Sequence, residues 1–275
     1  MEISIHLRGG DNVTDMRTVA LAKGISYLPH TVRVRSRGES AAGADLVIQT
    51  GFAKSAALMS AIEKGIPYLI MEAPVFRDIY DIALASNFTY NGFQGGGTRP
   101  KAGKEPRKAP ELQELRTEGA TLIMAQKPTD HSLRGSDHIA WLQEKLNEYP
   151  EAELRHHPIM VPAGHNEPIA TALSSCKRAI TYTSTTAVDS GIAGCKTICE
   201  HQASEGWRGG DREDWLHRLS WTTFTHSELG TDDIAAYILT GYEEAKANAL
   251  QGLQEIPREK IDGAAICRRY YRAFS

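Results

Sequence analysis

Apolar residues Ile3 to Leu7 make a short run that ends at the turn-forming Gly9-Gly10-Asp11-Asn12. Val13, Met16, Val19 and Ala20 then recur at helical spacing, and Lys23-Gly24 reads as the stop. Thr31-Val32-Arg33-Val34-Arg35 alternates like a half-exposed strand, and Leu46 to Gln49 is a second apolar strand. A helix from about 53 to 64 follows, with Gly65 at the place of a left-handed cap and a strand over Ile66 to Met71. Strand, helix and strand at this spacing predict right-handed crossovers and a parallel sheet.

The pattern lapses over 91–110. Asn91-Gly92-Phe93-Gln94-Gly95-Gly96-Gly97 is too rich in glycine for regular structure. Arg99, Lys101, Lys104, Arg107 and Lys108 then make a basic stretch interrupted by Glu105 alone. The same grammar restarts with a strand over Thr121 to Gln126 and a helix that Ser136 can cap, with Ile139, Leu142 and Leu146 on one face. Strands over 153–156, Ala179 to Tyr182 and Thr197 to Glu200, and a helix from Thr186 to Ala193, complete a second α/β half. A long amphipathic helix over 231–253 buries Ile234, Ala235, Ile238 and Leu239. The expected architecture is α/β, with Rossmann-like domains at 1–115 and 116–275 whose parallel sheets face across a cleft. The segment 91–115 serves as a basic, glycine-rich linker.

Composition narrows the class. A chain of 275 residues with 41% hydrophobic and 24% charged residues is neither disordered nor collagen-like. A net charge of −3 excludes a globally basic nucleic-acid coat while leaving room for a local patch. No apolar run reaches the roughly 18 residues of a membrane span and no signal-peptide pattern opens the chain, so a cytoplasmic protein is expected. Cys176, Cys195, Cys199 and Cys267 lack C-x-x-C spacing, which favours reduced, mostly buried thiols over a zinc site.

Walker, G-x-G-x-x-G and G-x-S-x-G signatures are missing where a P-loop enzyme, a dehydrogenase or a nucleophile-elbow hydrolase would carry them. Chemistry concentrates instead in three strand-to-helix loops of the second half. Thr183-Ser184-Thr185-Thr186 brings hydroxyls and backbone N–H groups to a helix start, a site suited to phosphate but also to an ordinary cap. His156-His157-Pro158 closes the neighbouring strand, and Gln126, Asp130 and Ser132 occupy the loop after the first strand of this half. No Asp-x-Asp stands at a strand end, so no metal site is expected.

A His-Pro at a strand end followed by a Ser/Thr-rich turn resembles the donor half of GT-B glycosyltransferases, nearest to capsule Kdo transferases, bacterial sialyltransferases and teichoic-acid glycerophosphotransferases. The Gln126…Asp130-x-Ser132 loop is similar to an element of capsule-type and phage-type members. Asp214-Trp215-Leu216…Leu219-Ser220-Trp221 with Glu228-Leu229-Gly230 resembles their C-terminal segment, except that Ser220 stands where Gln is usual. Asn91-Gly92…Gly95-Gly96-Gly97 resembles a phage-type element with altered spacing. The resemblance spans roughly 65–230.

It implies metal-independent transfer from a UDP- or CMP-linked sugar, with no resident cofactor. His157, Ser184, Thr185 and Thr186 would hold the donor phosphates, and Gln126, Asp130 and Ser132 would line the same site. A base for the acceptor hydroxyl should then come from the first half, where Glu72 and Asp11 stand at strand ends. The phage-type likeness makes the expected acceptor a hydroxylated base in double-stranded DNA, with Arg99, Lys101, Lys104, Arg107 and Lys108 contacting its backbone. The basic aromatic tail Arg268-Arg269-Tyr270-Tyr271-Arg272 is a further candidate for such contacts, or simply a helix end. A glycan-directed transferase, a sugar-nucleotide epimerase and a non-catalytic nucleotide-binding module are the competing expectations.

Overall fold

A computed structural model describes residues 1–7, 12–51, 55–76, 79, 85–90, 108–133, 135–162, 165–201, 204–248 and 262–274. The chain divides into two units, each with its own sheet.

In the first unit, β1 (Glu2–Leu7) pairs in parallel with β2 (Thr31–Ser36) on one side and β3 (Leu46–Thr50) on the other. β3 pairs in parallel with β4 (Tyr68–Glu72). Alternate strand residues point to opposite faces. Ile3, Ile5, Leu46, Ile48, Leu69 and Met71 enter one core, with Leu21 and Ile25 of α1 (Asn12–Ile25). Ala57, Leu58, Ala61 and Ile62 are the buried side of α2 (Ala56–Glu63), which packs against β3 and β4. Gly65 takes the predicted left-handed conformation, at φ 65°.

Two features depart from the all-parallel expectation. β5 (Ala85–Tyr90) runs antiparallel to β4, and β10 (Thr223–Thr225), from far down the chain, runs antiparallel to β5. The first sheet is therefore a parallel group of four strands extended by an antiparallel edge. Gly24, expected to stop α1, lies within it. A Cβ there would sit 2.1 Å from the Leu229 carbonyl oxygen, so its missing side chain lets α7 (His226–Leu229) approach.

The second unit has β6 (Ala120–Met124) paired in parallel with β7 (Glu153–Arg155) and β8 (Cys176–Thr181), and β8 with β9 (Lys196–Cys199). Both faces are covered, which explains the apolar run Leu122-Ile123-Met124 in β6. Ile123 and Ile180 pack under α3 (His138–Glu148) and α9 (Gly263–Phe274), while Leu122, Met124 and Ala179 pack with Leu173 of α4 (Ile169–Ser174). Asp137 caps α3 through a bond from Ala140 N at 3.1 Å, one residue beyond the expected Ser136.

The expected single domain over 116–275 is divided. Leu216–Glu255 belongs to the first unit and Pro110–Trp215 with Ile256–Ser275 to the second, so the boundary falls inside α6 (Arg212–Ser220). Burial is the reason: Phe224, Leu229, Ile234, Tyr237 and Ile238 complete the first core, and α8 (Asp232–Asn248) packs on α1. Of the predicted apolar face of α8, Leu239 remains 45% exposed.

Candidate functional site in the second unit

Strand order in the second sheet is β7-β6-β8-β9. The chain leaves β6 toward β7 on one side and later fills β8 and β9 on the other. The sheet therefore has its switch point between the carboxyl ends of β6 and β8, where open α/β sheets hold ligands.

Gln126, buried just past β6, spans that point. Its Nε2 donates to Thr183 Oγ1 at 2.9 Å and to Ser132 Oγ at 3.1 Å, and its Oε1 accepts from Thr183 N at 2.7 Å. Thr183 Oγ1 passes its own proton to the Ser132 carbonyl at 3.2 Å. Ser132 N in turn donates to Asp130 Oδ1 at 2.8 Å. Loop 126–132 and turn 183–186 are thus joined by one amide. Asp130, expected to face a donor, spends one oxygen on shaping its own loop.

Ser184 and Thr186 hydroxyls bond each other, and Ser184 Oγ also accepts from Thr186 N at 3.2 Å. Thr185 stands at the cap position of α5 (Thr186–Ile192) without a side-chain cap bond. At the end of β7, His157 Nδ1 accepts from Ile159 N at 3.2 Å, which leaves the ring proton on Nε2 as a donor. Burial lowers the His157 pKa, with Asp130 opposing and Lys127 reinforcing that shift, so the ring is neutral near pH 7. β7, β6 and β8 are adjacent parallel strands, so the loops that follow them leave the same edge of the sheet. The three loops expected to act together therefore share one rim.

Three contributors escaped the sequence reading. Thr183 stood in the hydroxyl run, but only the connection to Gln126 reveals it. His138 Nε2 accepts from Gln126 N at 2.9 Å, a link across twelve residues with no local signature. Its ring stacks on Trp141 at 5.1 Å, and burial lowers its pKa to about 4. Tyr182 packs edge-on to Trp141 at 5.5 Å and tilts against His201 at 5.5 Å, an aromatic wall leading into the turn.

Glu72 is exposed at the carboxyl end of β4 in the first unit, in register with Asn87. Asp11 and the basic residues Arg99, Lys101, Lys104 and Arg107 lie outside the described residues; Lys108 is exposed. Tyr270 is 1% exposed and packs in the core of the second unit, while Arg269 pairs with Asp137 at 2.8 Å. Tyr270 is therefore committed to the fold, while Arg269 stays at the surface. All four cysteines are free thiols, and three are buried. Among the described residues, no group of three or more His, Cys, Asp or Glu is placed to hold a metal, and no helix is long and apolar enough to cross a membrane.

No protein-family model and no curated protein sequence matches the chain. Among solved structures it is similar to the KpsC β-Kdo 2,7 transferase of Thermosulfurimonas dismutans, at 12% identity and a TM-score of 0.50, over 91% of this chain and 99% of that one. The β-Kdo 2,4 transferase of the same KpsC matches at 16% identity and a TM-score of 0.44, over 79% and 88%. A UDP-GlcNAc 2-epimerase of Methanocaldococcus jannaschii matches at 9% identity and 0.28, over 87% and 99%. The likeness to the 2,7 transferase is one of fold alone: two α/β units, each built on a largely parallel sheet.

Proposed function

We propose that this chain is a glycosyltransferase that moves a sugar from a nucleotide-activated donor to a hydroxyl acceptor, namely a 5-hydroxymethylpyrimidine in DNA. The observation that carries the reading is the Gln126 bridge at the switch point, which ties Ser132 to the 183–186 turn beside the strand end that leads to His157. The fold it shares with a Kdo transferase supports the reaction class.

In this reading the bond from the anomeric carbon to the donor phosphate breaks as the acceptor oxygen bonds that carbon. Charge grows on the departing phosphate. His157 Nε2–H and the hydroxyls of Ser184, Thr185 and Thr186 are the groups that meet it, and one such preorganised donor is worth about 3–4 kcal/mol in known oxyanion sites. The anion in turn draws the His157 pKa upward, strengthening the bond as charge develops. Glu72 takes the acceptor proton, with Asp11 the other candidate. No cofactor or metal enters, and the reading puts the protein in the cytoplasm.

The DNA acceptor rests on the phage-type resemblance and the basic residues from Arg99 to Lys108. If those five neutralise phosphates, log affinity against log salt has a slope of about −4.5. The direct test is mass spectrometry of hydroxymethylated DNA incubated with the protein and a panel of UDP- and CMP-sugars; a gain of one glycosyl mass per modified base is expected. Transfer to a soluble glycan alone reassigns the acceptor. Conversion of the sugar nucleotide without any acceptor supports an epimerase, and binding without turnover a nucleotide-binding module. Glu72→Gln should abolish transfer while donor affinity, read by calorimetry, stays within about threefold, since a base adds nothing to ground-state binding. Lost affinity instead would make Glu72 a donor ligand.

A further inference from the structure

The C-terminal helix α9 reaches two of the three donor loops at separate points. Tyr270 Oη meets His156 Nδ1 at 2.7 Å, with the two rings edge to face at 5.9 Å. Arg269 Nη1 meets Asp137 Oδ2 at 2.8 Å, where the first donor loop enters α3. At the start of the helix, a Cβ on Gly263 would lie 3.3 Å from Thr129 Cγ2, so the backbone of α9 rests against that same loop.

Ile266, Cys267 and Phe274 already give the helix an apolar seat, which burial alone would satisfy. The polar bonds do something more specific. Burial pushes the Tyr270 hydroxyl up to about 12, so it stays protonated, and burial lowers the His156 pKa, so the ring is neutral near pH 7. The two side chains therefore meet as a neutral hydrogen-bonded pair, which fixes the residue next to His157. Asn166 Nδ2 secures the His156 carbonyl from another direction at 2.8 Å.

We propose that Tyr270 is a positioning residue of the donor site, acting through His156 to hold the backbone that presents His157 to the donor phosphate. The inference rests on the nucleotide-sugar reading above. Its consequence is that a residue at the far end of the chain sets donor affinity without touching the donor.

The test is calorimetric titration of the full chain with UDP and CMP, in a double-mutant cycle of Tyr270→Phe and His157→Ala. Phenylalanine keeps the ring in the core and removes only the hydroxyl. Losing one such bond corresponds to about a fivefold rise in Kd, expected in the wild-type background. A rise of less than about twofold is expected once His157 is alanine, because the bond then has nothing left to position. An unchanged Kd in Tyr270→Phe, or an equal rise in both backgrounds, overturns the inference while leaving the nucleotide reading intact. A wild-type chain that binds neither nucleotide overturns that reading and this inference with it. If Tyr270→Phe does not fold, His156→Gln breaks the same bond from its other end and is read in the same two backgrounds.

Discussion

Single side chains in the second unit serve fold and site together, and His138 shows it best. It is buried, accepts from Gln126 N, and its Nδ1 has no hydrogen-bond acceptor among the described residues. Its pKa falls from 6.5 to about 4 on folding, so below pH 6.5 the unfolded chain binds a proton that the native one refuses. Stability from this group is complete above pH 6.5, declines as pH falls, and levels off near 4. The loss is about 3 kcal/mol. Denaturant unfolding between pH 7 and 4 should show that slope, and His138→Gln, which can accept but not titrate, should flatten it. Gln126, Ser184 and His157 were legible because a strand end announces itself by an apolar run stopping at polar residues. His138 was not, since its role depends on a ring reaching back twelve residues under the loop.

Elements were read well wherever a face was periodic. The parallel strands and α1, α2 and α3 fall where their apolar spacing put them, within a few residues. β10, three residues long, has too little chain to show alternation, and β5 pairs with it from 136 to 140 residues away. Glu228-Leu229-Gly230, read as a family motif, has a local explanation as well. Thr225 and Glu228 form a capping box for α7, with Thr225 N donating to Glu228 Oε2 at 2.7 Å, and Leu229 is fully buried. The close approach of α7 to α1 makes Gly24 irreplaceable. Gly24→Ala should cost about 3 kcal/mol or more, because the new methyl meets backbone rather than a flexible side chain. Chemical denaturation would register it as a lower midpoint with an unchanged slope. The same substitution at Gly38, where the nearest atom lies 3.7 Å from the added Cβ, should be nearly silent.

At the scale of the molecule, each unit draws on segments distant in sequence. The first core needs Phe224, Leu229, Ile234 and Ile238, although everything before residue 110 reads as a self-sufficient α/β half. A fragment ending at residue 115 would leave Ile3, Ile5, Leu21 and Ile25 without that cover. It should fail to unfold cooperatively in a thermal melt, whereas the intact chain should do so. Composition and the glycine-rich break at 91–97 gave a sound reason to cut the chain once. The return at Leu216 was hidden because a helix that crosses from one unit to the other looks, in sequence, like any other helix.

That interleaving has a consequence for synthesis. A ribosome that has reached Trp215 has released neither unit in finished form: the first still lacks α8 and the second still lacks α9. Until those helices emerge the nascent chain carries an uncovered sheet face, the interval in which unpaired apolar surface invites association or chaperone capture. Neither unit can complete its core before the other unit's sheet has been made.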